Sequence, residues 1–449
     1  MRNLIKILLL NILISGYLNC YSQDTLNSAY FEKRTLELYN NQNWNELIPI
    51  AEKAIVQNID YYYLRVRIGI AFYEKKRYTK AIEHFEKALE FNPDDNLSKE
   101  YIYYSLLFSG KTFEAQQFSK TFSESLKTKL NINKNPIIKN IYLESGYSLN
   151  TDYKDLLPEI PGEQFANTQR NISNDSYFEN LSLTHRLGEK TQIIHSYSGL
   201  KLNWTQQYKF NNAETQQFLH NTIQNQYFLG INIHNSGHTT YMLGAHFLWL
   251  KNNYNTLDFE TTMIPNSKLF KNNETKSSER LYFIGFQSDY KYWSLGISVS
   301  LSNMNYLQQK QPNLDLTFYP FGNLNFYSKT HVSKVFESSK SDKVKSNPVL
   351  QQTFGFKTWK FWTEIHSTFG TLYDYVENNG YTIYNDVDRL KRRYGINLII
   401  PIKKFSISIR YSYQNKEADI YKYKYNGAYS NYTYNYINQS LLLGLKFNL

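Results

Sequence analysis

The chain has 449 residues, a formal net charge of +11, a single cysteine, and a large aromatic complement of 41 tyrosines and 28 phenylalanines. After residue 23 there is no run of about 20 apolar residues, which excludes a helical membrane protein, and one cysteine cannot build a disulfide framework. Aromatic excess on this scale suits the two rims of a membrane barrel, where amphipathic rings sit at headgroup level.

Met1-Arg2-Asn3-Leu4-Ile5-Lys6 and the apolar stretch Ile7–Ile14 read as a secretory signal, too short to span a bilayer. Cleavage after Ser22 gives a signal peptide of 1–22, a new N-terminus at Gln23 and a mature chain without cysteine. The competing reading is a lipoprotein acylated on Cys20.

Residues 24–130 have helical periodicity and match themselves at a shift of 34: Leu47, Ala81 and Ala115; Ala54 and Ala88; Leu38, Phe72 and Leu106. The middle copy carries Ile68-Gly69, Phe72, Ala81, Phe85, Ala88 and Pro93, the tetratricopeptide (TPR) pattern, with Thr35 and Tyr103 replacing the glycine in the flanking copies. Small alanines let paired helices approach closely. Three units are about the minimum that buries a continuous face. Polar residues and Pro136 mark 131–139 as a linker.

From Asn140 to Leu449 the period changes to two. In Trp293-Ser294-Leu295-Gly296-Ile297-Ser298-Val299-Ser300-Leu301 every odd residue is apolar and every even one small or polar. About fourteen windows of roughly ten residues, the length that crosses a bilayer when tilted, fall near 140–149, 177–187, 191–204, 218–233, 239–250, 281–288, 292–302, 313–318, 323–335, 349–357, 359–371, 393–401, 404–414 and 434–449. Tight turns such as Leu187-Gly188-Glu189-Lys190 alternate with long polar connections at 150–176, 205–217, 251–280, 303–312, 336–348, 372–392 and 415–433. Short turns on one side and long loops on the other are expected of an outer-membrane barrel. The predicted fold is α+β and multidomain: a short TPR-like α-solenoid (24–130), then an antiparallel transmembrane β-barrel of about 14 strands (12–16) over 140–449. The even count depends on a weak eighth strand at Leu314–Phe318.

Charge in 24–130 nearly balances, so the positive excess belongs to the barrel. Strand parity assigns Arg186, Lys201, Lys329, Lys357, Arg410 and Lys446 to the lumen against Glu144 and Glu364. With the three residues near strand ends set aside, Lys201, Lys329, Arg410, Glu144 and Glu364 are the lumen-facing candidates. A basic lumen favours anionic solutes, because a narrow channel focuses the field. The same residues fit a salt-bridged, plugged interior equally well, and a long loop such as 251–280 is a candidate plug. On the repeats Tyr62, Arg65 and Lys76, with Tyr61, Arg67, Lys75 and Arg77, are candidates for a partner-binding groove.

His195, His331 and His366 fall on the predicted lumen face, and His234 and His238 flank a turn. No spacing among them fixes three convergent ligands, so neither metal nor cofactor is expected. Ser196, Ser198 and His195 alternate between faces, which argues against a catalytic dyad. No phosphate-cradling loop or nucleic-acid motif occurs; the expectation is no enzyme and no nucleic-acid partner.

The middle repeat and the terminal strand around Leu441–Leu449 make the chain resemble the YaiO family of outer-membrane proteins. More distantly it is similar to the TPR-barrel exporters of exopolysaccharides such as cellulose and poly-N-acetylglucosamine. The resemblance implies a barrel among outer-membrane lipids of a Gram-negative bacterium, with the repeats binding a protein in the periplasm. It implies envelope export or surface assembly, with polysaccharide or an anionic solute passing. The alternatives are a passive or structural channel and, last, a barrel enzyme acting on envelope lipid or glycan.

Overall fold

The computed structural model describes residues 28–132, 136–158, 160, 166–210, 214–235, 238–257, 270–305, 307–338, 345–386, 388–424 and 429–449. The expected signal peptide and Cys20 lie outside them, as do 133–135 of the expected linker. Two compact units result: 1–135 with 320–324, and 136–319 with 325–449.

The first unit is helical. After α1 (28–40) come α2 (Trp44–Val56), α3 (Tyr62–Glu74), α4 (Tyr78–Phe91), α5 (Asn96–Phe108), α6 (Thr112–Phe118) and α7 (Glu124–Lys129). Its core contains the positions that recur at the 34-residue shift, Leu38, Leu47, Ala51, Ala54, Phe72, Ala81, Phe85, Ala88, Leu106 and Ala115 all being buried, together with Leu64, Ile68 and Ile102. Small residues set the helix spacing. A Cβ on Gly69 of α3 would stand 2.9 Å from the Phe85 ring of α4, so glycine is what allows these two helices to meet. Asp95 starts α5 by accepting from the amides of Leu97 and Ser98, two donors that no helical turn can satisfy.

The second unit is a barrel with a small hairpin. Its strands are β1 (Ile138–Asn150), β2 (Ala166–Leu187), β3 (Thr191–Phe210), β4 (Gln216–His234), β5 (Thr239–Leu257), β6 (Phe270–Asp289), β7 (Trp293–Met304) and β8 (Leu307–Phe318). They continue with β9 (Phe326–Ser338), β10 (Lys345–Thr358), β11 (Phe361–Leu372), β12 (Tyr375–Glu377), β13 (Thr382–Tyr384), β14 (Arg389–Ile402), β15 (Phe405–Lys424) and β16 (Tyr429–Asn448). Among the described residues fourteen antiparallel strands close on themselves, every neighbour in sequence order except that β14 follows β11 and β16 returns to β1. The remaining two, β12 and β13, pair only with each other. The weak eighth strand is real and starts earlier than expected, at Leu307.

Alternation sorts the wall. Leu143, Leu181, Ile284, Val299, Leu316, Leu350, Ile365 and Leu443 are exposed on the outside, whereas Ser182, Gln226, Ser298, Gln311, Ser333, Ser412 and Ser440 are buried within. An apolar exterior around a closed ladder suits hydrocarbon, which offers no partner to a free backbone group. Strands also run further than the apolar alternation: β2 has 22 residues and β15 has 20. Much of 205–217, 251–280 and 415–433, expected as loop, is therefore strand. Those stretches are polar on both faces, so they keep their ladder while losing the hydrophobic signal.

Replacing Gly69 with valine should lower the stability of the helical unit by about 1–3 kcal/mol, the usual range for overpacking. The check is thermal circular dichroism, in which the helical signal melts earlier and the strand signal stays. Unchanged helical melting would contradict the packing described.

Candidate functional site

The connection from β11 to β14 folds into the barrel instead of away from it. Tyr375-Val376-Glu377 and Thr382-Ile383-Tyr384 pair across Asn378-Asn379-Gly380, whose φ values are 49°, 52° and 82°. That left-handed turn is one that asparagine and glycine adopt at little cost. A hairpin this short is not stable alone, so its seat must hold it.

The seat is apolar on one side. Val376, Ile383 and Tyr381 pack against Phe228, Met242, Leu281, Phe283 and Met304, with Ile194 beside them. Tyr375, fully buried, packs with Val335, Val349, Leu372 and Leu390. Each such aliphatic side chain contributes roughly 1.5–3 kcal/mol when buried. The other side replaces the neighbours a strand would have. Gln311 donates Nε2 to the Val376 carbonyl at 2.7 Å and accepts the Val376 amide on Oε1 at 3.1 Å. His246 Nδ1 meets the Gly380 carbonyl at 2.7 Å, and Asn180 donates to the Tyr381 hydroxyl at 3.0 Å. Lumen side chains thereby supply the partners that buried backbone requires.

Ion pairs fix the hairpin and its roots. Arg393 of β14 grips both oxygens of Glu377 and also donates to Thr368 at 3.2 Å. Burial works to raise the Glu377 carboxyl, and Arg393 more than offsets it, holding the group low. Tyr375 meets His331 Nε2 at 2.9 Å, and His331 Nδ1 meets Asp315 at 3.1 Å. At the exit Lys416 pairs with Asp386 at 2.6 Å, and Tyr436 donates to Asp388 at 2.6 Å. At the entry Asp374, fully buried, accepts from Asn305 Nδ2 at 2.6 Å, and the Asn305 amide is bonded in turn to Glu279 at 2.9 Å. Burial first, then Glu279 and Glu337, push the Asp374 carboxyl up to about 8.

Four of the five lumen candidates come together below the hairpin. A cavity of about 290 Å³ is lined by Lys329, Glu364 and Arg410, and Arg410 reaches Glu144 at 3.5 Å. Direct cross-strand pairing assembles this wall: Gly355 opposite Glu364, Glu364 opposite Asn397, and Asn397 opposite Arg410. Asn397 Nδ2 donates to Glu364 at 2.8 Å, Tyr327 donates to its other oxygen, and Lys329 pairs with Asp315 at 3.3 Å.

Lys201 does not belong there. It lies opposite Tyr177 and Ile223, both exposed on the outer face, and His195 shares its row, bonding Tyr227 at 2.7 Å. The inward row of β3 instead carries Ile194, Ser196 and Ser198. Parity misleads here because a lumen filled with protein accepts apolar side chains, so an apolar row need not face lipid. The cavity wall is also not simply basic, since Lys329, Arg393 and Arg410 sit in ion pairs. The segment inside the barrel is the hairpin Tyr375–Tyr384; 258–269, within the loop named as a candidate plug, lies outside the described residues. Among the described residues no group of three or more His, Cys, Asp or Glu is placed to hold a metal ion.

On the repeats, Arg65 is committed to Asp60 through two bonds of 2.7 and 2.6 Å and to His84 Nδ1 at 3.1 Å. Burial and then the Arg65 charge push His84 down to about 4. Arg67, expected exposed, is buried and bonds Glu32 and Thr35. Tyr62 is half-buried, and Lys76 is exposed in the α3–α4 turn with φ 59°. Arg393, Glu377 and Tyr375 lie outside the residues that strand parity marked for the lumen. Their signal was present: two three-residue alternations around an Asn-Asn-Gly turn.

Arg393→Met leaves Glu377 buried without its cation and should loosen the hairpin by about 3–5 kcal/mol, read as faster protease cutting within 373–388. Asp374 gives a pH dependence as well. Its carboxyl is raised from 3.8 to about 8 when the hairpin is seated, so its contribution to seating is complete below about pH 4 and is lost as pH rises through about 8. Protease cutting should therefore increase between about pH 5 and about pH 9, and Asp374→Asn should flatten the response. Equal cutting of the wild-type chain at both values would rule this out.

Residues 62–95, that is α3 and α4 with their flanks, match the tetratricopeptide repeat family model. Comparison with curated proteins finds no match. Among solved structures, the barrel is similar to a Pseudomonas aeruginosa FadL homologue at 10% identity, over 69% of this chain and 90% of that one, with a TM-score of 0.45. It is also similar to the deltaS2 mutant of TodX, a monoaromatic hydrocarbon channel, at 7% identity over 74% and 94% of the two chains, TM-score 0.44. The repeats are similar to a mutant of MamA at 24% identity, over 21% of this chain and 69% of that one, TM-score 0.20.

Proposed function

We propose that this chain is an outer-membrane barrel of a Gram-negative envelope whose TPR unit lies in the periplasm and recruits a protein partner. It serves envelope export or surface assembly by binding and passage, in the manner implied by its resemblance to the YaiO family and, more distantly, to exopolysaccharide exporters. Polysaccharide is the cargo class that this resemblance carries. Passage requires the 373–388 hairpin to leave its seat.

The observation that carries this reading is the hairpin itself, packed against β4–β7 and bonded to β5, β8 and β14 inside a closed barrel with an apolar exterior. A passive channel has no use for a plug held by a buried ion pair and an apolar core. A transporter opened by a partner does, because closure protects the envelope until cargo is engaged.

Planar-bilayer recording on the full chain and on a variant lacking 374–387 tests the proposal. The full chain should be silent and the deletion should conduct. Equal steady conductance in both would return the protein to the passive-channel reading.

A further inference from the structure

The cavity beneath the hairpin has a volume of about 290 Å³, about ten water volumes, and its walls are built in a particular way. A Cβ on Gly355 would stand 2.1 Å from the Tyr327 ring, and a Cβ on Gly395 would stand 2.4 Å from the His366 ring. The two glycines let these rings lie flat across neighbouring strands.

The three cations of the wall are matched in ion pairs, and Glu364 is held by the neutral donors Asn397 and Tyr327. Lys329 pairs with Asp315 at 3.3 Å, Arg393 with Glu377, and Arg410 with Glu144 at 3.5 Å. An anion would have to compete with carboxylates already in place, a cation with the lysine and arginines or with the Asn397 and Tyr327 donors on Glu364, and an alkyl chain would strip polar groups of water without replacing it. Hydrogen-bonding capacity, by contrast, is left over. Gln351 and His366, both on the cavity wall, make no side-chain hydrogen bond to any described residue. Mixed donors and acceptors beside a flat aromatic ring match a ligand whose hydroxyls each donate and accept.

We propose that this cavity binds one uncharged sugar ring, its hydroxyls bonded to Gln351 and His366 and its face against Tyr327. The assignment rests on the passage reading above and gives it a recognition step: a neutral glycan unit held directly beneath the plug, where its presence bears on Glu377 and Arg393.

Saturation-transfer NMR on the full chain tests this, in amine-oxide micelles that carry no sugar headgroup, with glucose, N-acetylglucosamine, gluconate, hexylamine and octanoate as probes. Transfer is expected to the neutral sugars only. Gln351→Leu and His366→Phe should each weaken it about tenfold, while Lys201→Gln on the outer face leaves it unchanged; heat-dependent gel mobility identifies the variants that remain folded. No transfer to either sugar with the wild-type chain would overturn the assignment, as would equal transfer to a charged or alkyl probe. Retention of binding in the folded lumen variants would do the same. A hairpin deletion that conducts while the intact chain binds no sugar removes this inference and leaves the passage reading. Sugar binding in a chain whose deletion stays silent does the reverse.

Discussion

The second unit depends on one seam. From Asn140 opposite Asn448 to Asn150 opposite Asn438, β1 pairs with β16 and turns a sheet into a barrel. An open edge in hydrocarbon would leave each backbone amide and carbonyl without a partner, at several kcal/mol apiece. Closure removes that penalty and commits the alternating rows: Leu441, Leu443 and Leu445 outward, Ser440 and Gly444 inward. An inside and an outside exist only because this seam does.

What fills the inside obeys the same accounting of backbone groups. A two-stranded hairpin brings edges of its own into the lumen, and the wall answers with side chains, Gln311 and His246 above all. Apolar packing supplies the attraction, whereas the Glu377–Arg393 pair fixes register, since a slip of one residue would place the carboxylate on the far face of the hairpin. The acidic roots act in the opposite direction. Asp374 is held where its charge is disfavoured, so one end of the plug is poised and the other is clamped.

Much of the architecture was legible in the residues. Period-two alternation such as Trp293–Leu301 located the barrel, and the recurrence of Leu47, Ala81 and Ala115 located the repeats, because both patterns record which face must avoid water. Strand ends were less legible, since polar strands outside the hydrocarbon keep their hydrogen bonds without an apolar mark. The lumen was half legible. Glu144, Lys329, Glu364 and Arg410 were found by parity, but Lys201 and His195 were misplaced because Ile194 faces inward onto Ile383 and its neighbours. One sequence shows that a row is apolar; whether oil or protein covers it is settled by a segment almost two hundred residues away.

The larger apolar cluster and the ion-pair belt occupy different arcs of the wall, and the smaller cluster of Val335, Val349, Leu372 and Leu390 shares the arc of the belt. Ile194, Phe228, Met242, Leu281 and Phe283 come from β3 to β6, whereas Asp315, Lys329, Glu364, Asn397 and Arg410 come from β8 to β15. With the hairpin withdrawn, the lumen would present a greasy side facing one where charged and apolar side chains are interleaved, not a uniform tube. Anything threading through it would be aligned by that contrast, its less polar flank turned to one arc and its hydroxylated or charged flank to the other. Orientation of the passenger would then come from the walls alone.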